Sequence, residues 1–172
     1  MLLPFLRNVV FALAGAASLG SLAAAADDPP RHGTVVLTLH FSAPVARTTA
    51  AFGPLAEAVW SPDFSPAFVF PQPAADVAGA VFRTPDGKLW LLHDFDIASG
   101  YAQYVITGKS ELVTLSIRAT PDASGTAVTM TYDITALDDR GTAHLAKVRA
   151  HAAAMSAGMQ EAIGAYLTKH AN

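Results

Sequence analysis

LVTLSIRATPDASGTAVTMTYDITALDDRGTAHLAKVRAHAAAMSAGMQEAIGAYLTK, residues 112–169, holds the pattern that decides the fold. Its first part has a period of two. Val113, Leu115, Ile117 and Ala119 fall on one side, and Thr114, Ser116, Arg118 and Thr120 on the other. Residues 122–125 make a turn, after which Val128, Met130, Tyr132 and Ile134 oppose Thr129, Thr131, Asp133 and Thr135. Such alternation predicts two antiparallel strands with one buried and one wet face. The period then lengthens. Leu145, Val148, Ala152, Met155, Met159, Ile163 and Tyr166 recur at steps of three and four, so residues 142–169 read as one long helix with a single apolar stripe. Asp138 and Asp139 precede it, where carboxylates favour the positive end of the helix dipole.

Working back toward the N-terminus, more strands come into view. Residues 101–107 and 89–96 read as strands, separated by the turn at Ser99-Gly100. Residues 80–84 form another, joined through Pro85-Asp86-Gly87, where proline presets φ and glycine accepts a positive one. Phe68 and Phe70 alternate around Val69 in a proline-rich stretch, which suits a short edge strand. Residues 55–60 and 45–52 are two short helices broken by Gly53-Pro54, with Ser42 as a cap and Pro44 in the first turn. Residues 34–41 alternate cleanly, Val35, Leu37, Leu39 and Phe41 facing in and Thr34, Thr38 and His40 facing out. The expected order is strand, two short helices, about six strands, long helix: an α+β chain. Two short helices cannot cover the apolar face of a seven-stranded sheet, so the long helix must.

Residues 1–26 have another character. Arg7 is the one charge, an uncharged run follows, and Ala23 to Ala26 end it just before Asp27. A basic start, an apolar middle and an Ala-x-Ala exit is the pattern of a signal peptide, with cleavage after Ala26 and a periplasmic or secreted address. Residues 27–33, with Pro29, Pro30 and Gly33, read as a flexible lead-in, and 34–172 as one domain. Cleavage would take away 26 of the 172 residues and leave 10 basic against 14 acidic ones. With no Lys/Arg cluster there is no footprint for nucleic acid, and an acidic chain would not be drawn to anionic lipid. No stable membrane anchor is expected once the signal is removed. The chain has no cysteine, which excludes thiol catalysis and sulfur-ligated zinc. It also lacks a glycine-rich phosphate loop, a Gly-x-Ser-x-Gly elbow and a His-Glu-x-x-His pair. No cofactor is implied.

The stretch WSPDFSPAFVFP, residues 60–71, followed by Gly79-Ala80-Val81-Phe82-Arg83-Thr84 and by Leu89-Trp90-Leu91-Leu92 running to Phe95-Asp96, resembles the pattern of many small bacterial members of the START-like (SRPBCC) superfamily. That superfamily includes lipid-transfer domains, pollen allergens and polyketide cyclases. The resemblance covers most of residues 34–172 and implies a helix-grip fold: a curved antiparallel sheet of about seven strands wrapped on the C-terminal helix, with a hollow between them. It specifies fold better than function, because this architecture hosts many activities. Small bacterial members are mostly cytoplasmic, so an export signal sets this chain apart from their intracellular substrates.

Given a hollow, the apolar face supplies its lining. Phe82, Phe95, Tyr104, Met130, Tyr132, Met155 and Met159 are the candidates, methionine for adaptable apolar contact and tyrosine for a hydroxyl in an apolar wall. Strand parity places Leu89, Leu91, His93 and Phe95 on one inward face, unless a bulge shifts it, so His93 is a candidate to orient a ligand or move a proton. His151 flanks the helix stripe beside the same space, as does His144. The histidines do not make a metal site, since no acid sits at a helpful spacing. Asp94, Asp96, Asp138 and Asp139 read as solvated. Three functions fit: an exported carrier of a small hydrophobic molecule, a cyclase- or dehydratase-like enzyme using His93 or a tyrosine, and an envelope module that binds a partner through the aromatic segment 60–73.

Overall fold

The structure is a computed structural model that describes residues 30–171. The expected signal peptide at 1–26 lies outside those residues. The elements run β1 (His32–Phe41), α1 (Val45–Ala50), α2 (Pro54–Trp60), β2 (Ala67–Phe70), β3 (Val81–Arg83), β4 (Leu89–Asp96), β5 (Tyr101–Thr107), β6 (Glu111–Asp122), β7 (Gly125–Ala136) and α3 (Asp139–Lys169). All seven strands form one antiparallel sheet in the order β1-β7-β6-β5-β4-β3-β2. The expected architecture is observed: a curved sheet, two short helices after the first strand, and one long helix closing the apolar face.

The apolar rows are continuous across the sheet because antiparallel pairing puts inward residues opposite one another. One row runs Val35–Tyr132–Leu115–Tyr104–Leu92 and the next Leu37–Met130–Ile117–Ala102–Phe95. Most of these side chains are buried, as are Phe52 from the α1–α2 junction and Leu145, Ile163 and Leu167 from α3. Each fully buried aliphatic side chain of this kind stabilises the fold by roughly 1.5–3 kcal/mol.

Both sheet edges are handled. β2 is only four residues long. At β1, α3 serves as a lid for the unpaired backbone: Ser156 Oγ donates to Thr38 O at 3.0 Å, His40 N donates to Gln160 Oε1 at 2.8 Å, and Gln160 Nε2 donates to His40 O. Open strand edges invite pairing with other chains, and these side chains remove that option. Asp138 is the N-cap of α3, its Oδ1 accepting from Gly141 N at 2.9 Å.

Some local expectations differ from the structure. β1 begins at His32 rather than residue 34, held there by a His32 Nδ1–Thr135 Oγ1 hydrogen bond of 3.1 Å. The N-cap of α1 is Pro44 with no side-chain cap, so neither Ser42 as the cap nor Pro44 in the first turn describes its start. The larger correction is in β4. Leu92 faces Tyr104 and Asp94 faces Gln103, leaving His93 as the extra residue of a β-bulge. Trp90 and Leu92 therefore face inward before the bulge and Phe95 after it, while Leu89 and Leu91 lie on the outer face and His93 is exposed.

Two turn glycines test how tightly the frame is built. Gly100 has φ +79°, and a Cβ there would collide with the Ala119 carbonyl oxygen and come within 2.8 Å of Val45 Cγ1; Gly87 has φ +83° and open space around it. Gly87→Ala should cost only the left-handed backbone penalty, about 1–2 kcal/mol. Gly100→Ala should add an overpacking cost of about 1–3 kcal/mol to that. Urea unfolding midpoints of the two variants check the ranking, and equal losses would refute the close packing of the β4–β5 turn against β6 and α1.

Candidate functional site

Three layers meet beneath α3. The floor is the inward face of β4 to β7. The roof is the helix stripe, whose ends are buried at Leu145, Val148, Ile163 and Leu167 and whose middle, Ala152, Met155 and Met159, is only half-buried. Burial of the stripe is deepest at the two ends of the helix and least in its middle, so roof and floor pack more loosely there. The result is a cavity of about 180 Å³ lined by Trp90, Ile106, Val113, Tyr132, Ile134, Val148 and Met155. Lys88, Glu111 and His144 form its rim.

That rim is an ion-paired cluster. Glu111 is buried, yet its carboxylate accepts from Lys88 Nζ at 2.9 Å and pairs with His144 Nδ1. Burial works against the Lys88 ammonium, but the Glu111 hydrogen bond and charge, with Asp86 behind, hold its pKa above the ordinary value. The mouth is therefore charged and the interior apolar, with Lys88 and His144 both held by Glu111. Larger depressions lie elsewhere, such as one of about 460 Å³ beside His40, Arg47 and Gln160, between the end of β1 and the C-terminal end of α3.

The cavity floor continues into an aromatic cluster. Phe82 stacks on Trp90 at 5.8 Å, and Phe64 meets Trp90 edge-on at 5.5 Å. Tyr104 meets Trp90 edge-on at 5.6 Å and donates its hydroxyl to Phe52 O at 2.5 Å. Edge-on and offset pairs of this kind add to the area term. Trp90 Nε1 donates to Thr84 Oγ1 and Trp60 Nε1 to Ala51 O, so both indoles are satisfied within the wall.

One residue breaks the apolar pattern. α2 buries Pro54 and packs Trp60 on the core but leaves Leu55 and Val59 41% and 59% exposed. Glu57, between them in sequence, is half-buried on the inward side. Burial alone raises its pKa from 4.5 to about 8. Its charge in turn helps to hold the Tyr104 and Tyr132 phenols above their ordinary values, after the larger effect of their own burial. The Glu57 carboxylate and the Tyr132 hydroxyl have no hydrogen-bond partner among the described residues, and neither is sealed off by protein atoms. Asp76 Oδ1 accepts from Leu55 N at 2.8 Å and holds the start of α2 in this pose.

The sequence-predicted residues divide into three groups. Tyr132 and Met155 line the cavity, and Met159 lies one turn further along the helix, half-buried. Phe82, Tyr104 and Met130 are buried in the core around it, and Phe95 packs against that core. His93 and His151 are outside: His93 is the bulge residue, and His151 is exposed with Nδ1 at 2.8 Å from Lys147 O. Sequence reasoning placed His144 beside the helix stripe but missed Trp90, Glu57 and the rim partners of His144, Lys88 and Glu111. The signal for Glu57 was available, since it is the only charged residue between Arg47 and Asp63. Among the described residues, no group of three metal-ligating side chains comes together.

Glu57 leaves a signature in stability. With a pKa of 4.5 unfolded and about 8 folded, its contribution is full below pH 4.5 and is lost as pH rises through 8, because the unfolded chain binds fewer protons across that window. Glu57→Gln should therefore gain on the wild type as pH rises across that window. The gain should reach roughly 1–3 kcal/mol at the alkaline end, once partial solvent contact is discounted, and vanish in acid. Denaturant unfolding at several pH values checks this; parallel profiles would mean that the carboxylate is solvated.

No protein-family model and no curated protein matches the chain. Solved structures do. Ara h 8.0201 superposes with a TM-score of 0.60 at 18% identity, over 81% of this chain and 99% of that one. A Mesorhizobium loti protein, MLL2253, gives 0.60 at 14% identity over 80% and 98%. Norcoclaurine synthase from Thalictrum flavum, solved with dopamine and hydroxybenzaldehyde, gives 0.58 at 10% identity over 81% and 88%. Near-complete coverage at such low identity reports shared architecture. By its fold, this chain is a helix-grip protein, with the architecture those solved structures share.

Proposed function

We propose that this chain is an exported binding protein for a small apolar molecule, held in the cavity between the sheet and α3. The observation that carries the reading is the cavity beneath α3, where half-buried Met155 and buried Val148 lie above a floor of Trp90, Ile106, Val113 and Tyr132. An interior of close-packed density has no reason to leave such a gap. Apolar area removed from water on entry would contribute roughly 25 cal/mol per Å². The ligand would pass the Lys88–Glu111–His144 rim, the charged part of the lining. Export is proposed from the basic start, uncharged run and alanine exit of residues 1–26.

The two competing readings have less support. The enzyme reading leaned on His93 or a tyrosine; His93 is the exposed bulge residue and the Tyr104 hydroxyl is engaged with Phe52 O, which leaves Tyr132 in the cavity wall. The partner-binding reading leaned on the aromatic segment 60–73, of which Trp60, Phe64 and Phe68 pack against the core while Val69 and Phe70 are exposed, at 58% and 57%.

Native mass spectrometry of the protein purified from its own source, with organic extraction, tests the proposal. A co-purifying apolar compound is expected. Val148→Trp, which fills the cavity from the roof, should come out empty with its fold intact by circular dichroism. A wild type that emerges empty and whose Tm is unmoved by a panel of apolar compounds would count against the carrier reading.

A further inference from the structure

We infer that the molecule this cavity takes is an amphipathic anion, its apolar tail beneath α3 and its carboxylate head held just outside the rim by Lys109 and Arg140. The inference rests on the carrier reading above and adds the chemistry and the seat of the ligand's polar end.

A second depression, of about 440 Å³, adjoins the apolar cavity. The β3–β4 turn contributes Asp86 and Lys88 to it, the β5–β6 turn Lys109, and the start of α3 Arg140 and His144. Lys88, Glu111 and His144 line both spaces. The rim is therefore a shared wall, with the apolar cavity on one side and the charged depression on the other. A molecule that lies across the rim touches both.

The charges in the depression are unequally matched. Its two acids, Asp86 and Glu111, both pair with Lys88, at 3.5 and 2.9 Å. Glu111 also holds His144. Lys109 and Arg140 are exposed, and among the described residues neither forms an ion pair. The acids next to Arg140 in sequence are engaged elsewhere. Asp138 accepts from Gly141 N and from Ser110 Oγ, each at 2.9 Å, and Asp139 pairs with Arg31 at 3.2 Å. Two uncommitted cations at the mouth of an apolar cavity also run against the balance of a chain whose net charge is −3.

The two cations stand on a braced frame. Besides the Ser110–Asp138 bond, Leu137 N donates to Ser110 O at 2.8 Å, so the β5–β6 turn and the start of α3 are tied together. A carboxylate seated between them accepts charge-assisted hydrogen bonds from both, and the tail lies along Trp90, Val113 and Met155. A neutral head gains no charge-assisted contact from Lys109 and Arg140, and a cationic one is repelled by them.

The test compares octanoate with octanamide, which has the same length and no charge, and with octylammonium. Calorimetry on the full protein at neutral pH and low salt reads the affinities. The wild type should bind octanoate about five- to tenfold more tightly than octanamide, the effect of two exposed ion pairs. That preference should shrink as salt rises to about 1 M and the Debye length falls to about 3 Å. Lys109→Gln with Arg140→Gln should remove the preference and leave octanamide affinity unchanged. The same loss of charge at exposed positions elsewhere, Arg118→Gln with Lys169→Gln, should keep it. Val148→Trp, which fills the apolar side, should weaken both probes together. Equal affinity of the wild type for octanoate and octanamide, or tighter binding of octylammonium, would overturn the anion inference and leave the carrier reading standing. A preference that survives loss of Lys109 and Arg140 would overturn it too, since the head would then sit elsewhere. Failure of all three probes to bind would overturn the carrier reading itself. Should the Lys109 and Arg140 variant not fold, the wild-type ranking and its salt dependence decide alone.

Discussion

Everything in this structure follows from one mismatch of shape. Seven strands present a single apolar face, and one long helix must cover it. The helix covers that face most closely at its two ends. α3 is secured at one end by Leu145 and Val148 and at the other by Ile163 and Leu167, and its polar side chains clamp the β1 edge through Ser156 and Gln160. Between those anchorages roof and floor pack more loosely. The cavity is thus a consequence of how the apolar surface is covered, and the methionines at its roof are the side chains best able to adapt to whatever fills it.

The polar groups are distributed with the same economy. Buried charge is costly unless matched. At the rim the cost is met locally, since Glu111 holds Lys88 and His144. At the α2 side it is not, and the chain carries an inward Glu57 with its pKa lifted to about 8. One acid therefore has two partners at the cavity rim, and the other has none among the described residues.

Much of the fold was legible because its strongest elements repeat without interruption. β6 and β7 are each twelve residues long and alternate throughout, so their inward rows could be read directly, and the stripe of α3 was equally regular. β4 was not, because parity counts every residue and a bulge adds one. That single insertion at His93 moved the favoured histidine to the outside, put Trp90 and Leu92 inside, and still left Phe95 facing in. The site was less legible than the fold for a related reason. α2 has seven residues, too few for periodicity to reveal which side faces in, and its pose is set by Asp76, twenty-one residues away. His144 stands at the boundary of the helix stripe, and only its pairing with Glu111 across the structure shows that it belongs to the rim.

The central claim is that the middle of α3 stands over open, apolar space. Xenon is a direct probe, because dry apolar cavities take it up without needing a hydrogen bond. Methionine-methyl and Ile134-methyl NMR spectra recorded under xenon pressure should show saturable shifts at Met155 and Ile134, a weaker one at Met159 and none at exposed methyls such as those of Val36 and Leu137. Uniform, non-saturating shifts across all methyls would mean that the sheet and the helix meet without a hollow, and the account of this protein as a binding protein would fall with it.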